Sequence, residues 1–182
     1  MDALVTTEWL ANELSATDLR VVDASYFLPE HKRDAAANYE AGHIPGAVFM
    51  DLAEIADLSN PLPSMLPSPE KFASRMQSLG LGDGSRIVLY DDSPLHTSAR
   101  AWWMLRTFGA HDVAILDGGL AKWKAEGREI ATGKESLRHR HFTVWADDKG
   151  VRTLDQMKAN LESGAEQVVD ARSAARFTGE EP

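Results

Sequence analysis

The sequence predicts an α/β fold with a mostly parallel sheet, followed by an incomplete second copy of the same unit. Three observations predict it. Short, nearly continuous apolar runs alternate with segments of helical period, as strands covered by helices on both faces require. The helical segments carry recognisable start and stop residues. The chain also repeats itself at an offset of 147 residues.

In order along the chain, the N-terminus passes directly into a helical pattern with no basic, apolar leader, so no export segment is expected. Residues 19–24 (LRVVDA), 47–50 (AVFM), 86–90 (RIVLY) and 113–116 (VAIL) read as strands rich in β-branched and apolar side chains. Ahead of the second, Gly and Pro in AGHIPGA at 41–47 set a tight turn. Ser68 is an N-cap with Pro69 at the first helical position; Phe72, Met76 and Leu79 share one face, and Gly80 closes the helix. A second helix starts near Thr97 or Ser98, presents Ala99, Trp102, Trp103 and Leu105, and stops at Gly109. A third follows Gly118 and Gly119, carries Leu120 and Trp123, and ends at Gly127. Strands alternating with helices in this way form parallel crossovers.

Residues 128–150 break the pattern. They are polar and charged, with one short alternating piece at 139–145, and read as an interdomain connection. Beyond them the 147-residue offset sets Leu4 on Val151, Thr6 on Thr153, Leu10 on Met157 and Leu14 on Leu161, and aligns VVDA at 21–24 with VVDA at 168–171. Thr153 and Gln156 stand at capping-box spacing. The expected division is a domain at 1–127, a connection at 128–150 and the opening of a twin at 151–182. That opening is too short to bury a core of its own, so the chain reads as a piece of a longer protein.

Composition narrows the class. With 43% hydrophobic and 26% charged residues among 182, disorder, collagen and coiled coil are excluded. A net charge of -9 argues against nucleic acid or an anionic membrane as the main partner. No apolar run approaches the roughly 18 residues of a membrane span, and a soluble cytoplasmic protein is expected. There is no cysteine, which removes disulfides, thiolate zinc sites and any thiol nucleophile within these residues.

The loop from Asp91 to Ser98 is the first candidate site. It lies at the carboxyl end of a predicted strand, where ligands bind in parallel sheets, and leads into a helix whose free N–H groups can cradle an anion. Its Ser, His and Asp invite a hydrolase reading, but the G-x-S-x-G elbow is missing. The plainer alternative is a helix cap at Thr97 or Ser98 flanked by solvated carboxylates. His43 reads as a turn residue bonded to backbone more readily than as a ligand. His139 and His141 flank Arg140 without a third metal ligand at a supporting spacing. Trp102 and Trp103 lie about 100° apart on a helix, so one is expected to point away from the core, toward a second domain. Arg172 and Arg176, four residues apart after the second VVDA, suit an anionic substrate; the competing reading pairs them with Asp170 or Glu180.

Together these stretches resemble the tandem-rhodanese family of sulfurtransferases. The likeness runs through VVDAS at 21–25, AGHIPGAVFMD at 41–51, PLPSMLPSPEKFA at 61–73, the block from Ile87 to Trp123 with ARAWWM and LDGGLAKW, and VVDARSAARFTGEEP at 168–182. It implies two similar domains, each with a five-stranded parallel sheet, of which only the C-terminal one is catalytic. It implies a cysteine persulfide that carries sulfur from thiosulfate or 3-mercaptopyruvate to a thiol or cyanide, without a cofactor. The cysteine position after the IVLY strand is Asp91 here, so this domain looks like the inactive partner; the same offset places the matching position of the twin at about 238. Arg176 matches the family's substrate-binding arginine, with Arg172 beside it. Ser64 stands where mercaptopyruvate-type members often carry histidine, which leaves the donor open. The implied partners are a small anionic sulfur donor, a thiol or cyanide acceptor and an intramolecular second rhodanese domain. The alternative is a cysteine-free rhodanese-like binding or regulatory module.

Overall fold

The computed structural model describes residues 1–181 and divides into two units, Met1–Asp147 and Asp148–Pro182, the last residue lying outside the described ones. The first unit holds β1 (Leu4–Val5), α1 (Thr7–Glu13), β2 (Leu19–Asp23), α2 (Ala35–Ala41), β3 (Val48–Phe49), α3 (Leu52–Ile55), α4 (Pro69–Ser78), β4 (Arg86–Tyr90), α5 (Ser98–Thr107), β5 (Val113–Leu116) and α6 (Gly119–Ala125). The five strands form one sheet in the order β1-β5-β4-β2-β3, every pairing parallel. The four expected strands and the three expected helices are present. α2, α3 and β1 are additions. The two residues of β1 pair with Ile115 and Leu116 at the sheet edge, and a run that short leaves no periodic signal.

Alternation along the central strands builds two cores. Val22, Ile87 and Leu89 face Phe72 and Met76 of α4 and Met104 and Leu105 of α5. Val21, Val88 and Tyr90 face Leu10 of α1 and Leu120 and Trp123 of α6. Ser68 accepts from Lys71 N as the cap of α4. Trp102 and Trp103 are both half-buried, which corrects the expectation that one turns away: each ring lies under a guanidinium, Arg106 over Trp102 and Arg100 over Trp103.

The polar stretch after Gly127, read as an interdomain connection, belongs to the first unit as far as Asp147, with Phe142 in its core and Leu137 and Val144 packed against it while Trp145 stays exposed. His43 and Ala131 exchange both backbone bonds at 2.9 Å. Phe142 is only 4% exposed, with its ring edge-on to Phe72. Asp83 accepts from Thr143 N at 2.8 Å and from its hydroxyl at 2.7 Å. Two glycines admit this strap. Gly80 has φ +71°, and a Cβ there would stand 2.6 Å from Leu137 Cβ; one on Gly82 would stand 2.5 Å from Arg140 Cβ. The alternating piece at 139–145 forms no strand, its bonds being taken by loops rather than by a neighbouring strand.

The second unit contains α7 (Leu154–Ser163) and α8 (Ala174–Thr178). Thr153 and Gln156 make the expected capping box, the counterpart of Thr6 capping α1. The second VVDA, 168–171, is not a strand. A lone strand has no ladder partner for its N–H and C=O groups, and the second unit has no strand among its described residues. None of the described helices is long and apolar enough to cross a membrane.

Candidate functional site

Parallel strands bring their carboxyl ends to one edge, and there the loops after β2, β4 and β5 converge. Asp91, the residue after β4, is 9% exposed. One carboxylate oxygen accepts from Ser93 N at 3.1 Å, the other from Ser98 N at 2.7 Å. Its carbonyl accepts from Leu120 N at 3.2 Å, tying the loop to α6. That approach needs glycine at 119, where φ is +54° and a Cβ would stand 2.6 Å from Asp91 O.

The cap of α5 therefore differs from the local Thr/Ser cap with solvated carboxylates that the residue types suggest. Thr97 has helical φ and ψ (-70°, -15°) and makes no side-chain cap bond; from that backbone its hydroxyl turns to β2, donating to Ala24 O at 2.8 Å and accepting from Tyr26 N at 3.1 Å. The negative group at the positive end of the helix is Asp91, which the dipole favours. Ser93 donates to Tyr26 O at 2.6 Å, so its hydroxyl is committed to backbone and forms no Ser–His pair with His96.

Neighbouring charges are arranged around this loop. Ser25 Oγ accepts from Asp92 N at 2.9 Å. Arg33 pairs with Asp92 at 2.6 Å and lies 4.0 Å from the Phe27 ring centroid. Asp23, 2% exposed, accepts from Ser25 N at 2.9 Å, and burial pushes its carboxyl above the usual value of 3.8. Beside it, burial lifts the Tyr90 phenol well above 10.0. A cleft of about 750 Å³ opens over the loop, lined by Phe27, His31, Arg33, Asp91 and His96 among others. Arg33 and His31 were not legible as site residues, since Arg33 meets Asp92 across 59 positions of sequence.

A second cleft of about 560 Å³ lies between α5 and the loop at 57–65. Ser64 sits there at φ +58°, with its carbonyl accepting from Arg100 at 2.6 Å. His43 is fully buried and bonds Tyr39 O through Nδ1 at 2.9 Å, the backbone-bonded turn role expected of it. His139 and His141 are exposed, and no group of three or more metal-ligating side chains occurs among the described residues.

In the second unit Arg172 is held by Asp170, its Nε at 2.9 Å and 3.0 Å from the two carboxylate oxygens and Nη2 at 2.6 Å from one of them. Arg176 lies on α8, exposed, with its backbone N–H donated to Ser173. Both arginines belong to this unit and Asp91 to the first.

Comparison with known proteins agrees with the fold. Residues 6–126 match the rhodanese-like domain. The 3-mercaptopyruvate sulfurtransferase of Homo sapiens is 40% identical over 186 residues, covering 99% of this chain and 63% of that protein. The thiosulfate sulfurtransferase of Gallus gallus is 38% identical over 185 residues, covering 98% and 64%. The crystal structure of SseA from Escherichia coli, a 3-mercaptopyruvate sulfotransferase, superposes with a TM-score of 0.93 at 37% identity, covering 99% of this chain and 69% of that one. The chain thus spans a little under two thirds of these curated relatives' length. With the family's match running from the first helix to the end of α6, and the same five-stranded parallel sheet beneath it, the chain belongs to the rhodanese-like domain family.

Proposed function

We propose that this chain is the non-catalytic domain of a tandem sulfurtransferase, together with the first helices of its catalytic domain. The observation that carries the reading is Asp91. It occupies the loop at the mouth of the anion cradle, where its carboxylate takes the N–H groups of Ser93 and Ser98. A carboxylate cannot form a persulfide. Sulfur transfer needs a soft, ionised thiol, and the 182 residues contain no cysteine. The nucleophile is therefore assigned to a cysteine outside them, in the partner domain.

The reaction proposed for the whole protein balances as two displacements. The thiolate attacks the outer sulfur of thiosulfate, the S–S bond breaks and sulfite leaves; with 3-mercaptopyruvate the C–S bond breaks and pyruvate leaves after its carbon takes up a proton. A thiol or cyanide then takes the terminal sulfur and returns the cysteine thiolate. Arg176 is the proposed contact for the donor's anionic end, with Arg172 held by Asp170 as its structural neighbour. Relatives of similar identity carry both donor names, so the donor class is thiosulfate or 3-mercaptopyruvate.

The test is turnover. Given thiosulfate and cyanide, or 3-mercaptopyruvate and a dithiol, the 182-residue chain should release no thiocyanate or sulfide above the uncatalysed rate. The longer protein with its cysteine should gain the mass of one sulfur atom on exposure to either donor. Turnover by the cysteine-free chain would overturn the assignment.

A further inference from the structure

Beside the Asp91 loop lies a smaller cavity of about 160 Å³, bounded by α2, the end of β2 and α6. Its place follows from the order of the sheet. β2 and β4 are neighbours, and their onward connections run to opposite sides, to β3 and to β5. The crevice outside such a divergence is where open parallel sheets take ligands. Arg33 and Asp92, paired at 2.6 Å, line both this cavity and the larger cleft; Asn38 and Lys124 line the smaller one and not the larger.

Most polar groups in its wall are committed to the protein. Asp23, 2% exposed, accepts from Ser25 N at 2.9 Å, and Ser25 Oγ accepts from Asp92 N at 2.9 Å. The Tyr39 hydroxyl donates to Ala47 O at 2.7 Å and accepts from Glu135 N at 3.1 Å. Arg33 gives one N–H to the Asp92 carboxylate and another to its carbonyl. Two donors are left. Asn38 Nδ2 is buried and has no hydrogen-bond partner, a state that folded proteins keep rare. Lys124 reaches over Gly42, its Nζ 4.0 Å from where a Cβ on that residue would stand, and it makes no ion pair among the described residues.

We propose that this cavity binds a small monovalent carboxylate, held by Asn38 Nδ2 inside and by Lys124 Nζ at the mouth. The unspent capacity is all donor, so the occupant is an acceptor. Two oxygens on one carbon let a single ligand accept from the amide and the ammonium together, and the charge strengthens both contacts. One unpaired cation faces the cavity while the Asp23 and Asp92 carboxyls stand in its wall, so a second negative charge on the ligand would be repelled. The volume is several times the roughly 30 Å³ of one water. It admits an anion of two or three carbons and excludes a peptide or a nucleotide. The site is independent of the sulfur-transfer reading, which it neither uses nor requires.

The experiment titrates the full, isotope-labelled 182-residue chain with sodium acetate at constant ionic strength and follows it by amide NMR. Saturable shifts should appear at the Asn38 side-chain NH2 and at the Gly42 and Ser25 backbone N–H groups. Asn38→Ala removes an unpartnered donor and puts a good helix former in α2. It should weaken acetate about tenfold, read at Gly42, the loss expected for one hydrogen bond to a charged group. Lys124→Gln should weaken it about threefold, as for an exposed charge pair. Arg138→Gln, the same change in charge on the strap beside Gly80, should weaken it by less than about twofold. Acetamide, equal in size but uncharged, should give no saturable shift. The spectra show whether each variant is folded, and Lys124, being exposed, decides the matter even if α2 is disturbed. No saturation with acetate, full affinity in a folded Asn38→Ala chain, equal loss in Lys124→Gln and Arg138→Gln, or acetamide or sulfate binding as tightly as acetate would each overturn the proposal.

Discussion

Asp91 is where a single residue organises the loop after β4. Its carboxylate is not a solvated charge beside a helix: one oxygen accepts from Ser98 N at the start of α5 and the other from Ser93 N within the loop. Replacing it by alanine should cost about 1 kcal/mol, as loss of a cap does, read as a lower urea midpoint. Asp91→Cys tests the chemistry of the position more sharply. A thiolate there would meet the same N–H donors and the same dipole, which lower a thiol pKa. Its alkylation by iodoacetamide should therefore reach half-maximal rate below pH about 8.5, the value of a free thiol. An ordinary pH profile would mean that the loop does not stabilise an anionic sulfur. The sequence showed where this residue sits, after a strand and before a helix, but not what it bonds. Thr97 and Ser98 carry the same capping signal from closer by, and Thr97 was diverted to Ala24 by a backbone angle that no residue type announces.

At the scale of elements, what was legible follows from period and punctuation. β2, β4 and β5 are apolar on both faces because two helical layers cover them, and that pattern is visible in isolation. α4, α5 and α6 are bracketed by proline, serine or glycine, which act locally. Two of the elements read differently depend on a distant neighbour. β1 is a strand only because β5 lies beside it; the second VVDA lacks such a neighbour and is not one. The strap at 137–145 is a further case: it reads as polar, yet Phe142 joins the core edge-on to Phe72, whose ring stacks on Phe108. Phe142→Ala should destabilise the first unit by roughly 3–5 kcal/mol, the cost of removing a buried aromatic ring. Chemical denaturation followed by tryptophan fluorescence measures it, and a loss under about 1 kcal/mol would show the strap to be a loose cover.

At the scale of the whole molecule the two units differ in what holds them. Met1–Asp147 has a five-stranded sheet with a core on each face. The second unit has no buried residue among those described; Leu154, Leu161, Val168, Val169 and Phe177 are all exposed. What it has instead is local: the capping box of α7, the Arg152–Glu166 pair at 2.7 Å, the Asn160 side chain bonded to both N–H and C=O of Glu166, and the glycine after each helix. An isolated helix of ten residues is marginal in water without packing, and an exposed ion pair adds well under 1 kcal/mol. The amide hydrogens of α7 should accordingly exchange through local opening, orders of magnitude faster than those of β2 and β4, whose exchange requires unfolding of the core. The same contrast fixes the outcome of shortening the chain. Residues 1–147 alone should keep the urea midpoint of the full 182 residues, because the buried side chains are within them. A midpoint lowered by more than about 1 kcal/mol equivalent, or protection in α7 rivalling that of β4, would show that the second helices bury apolar surface and contribute to the stability of the first unit.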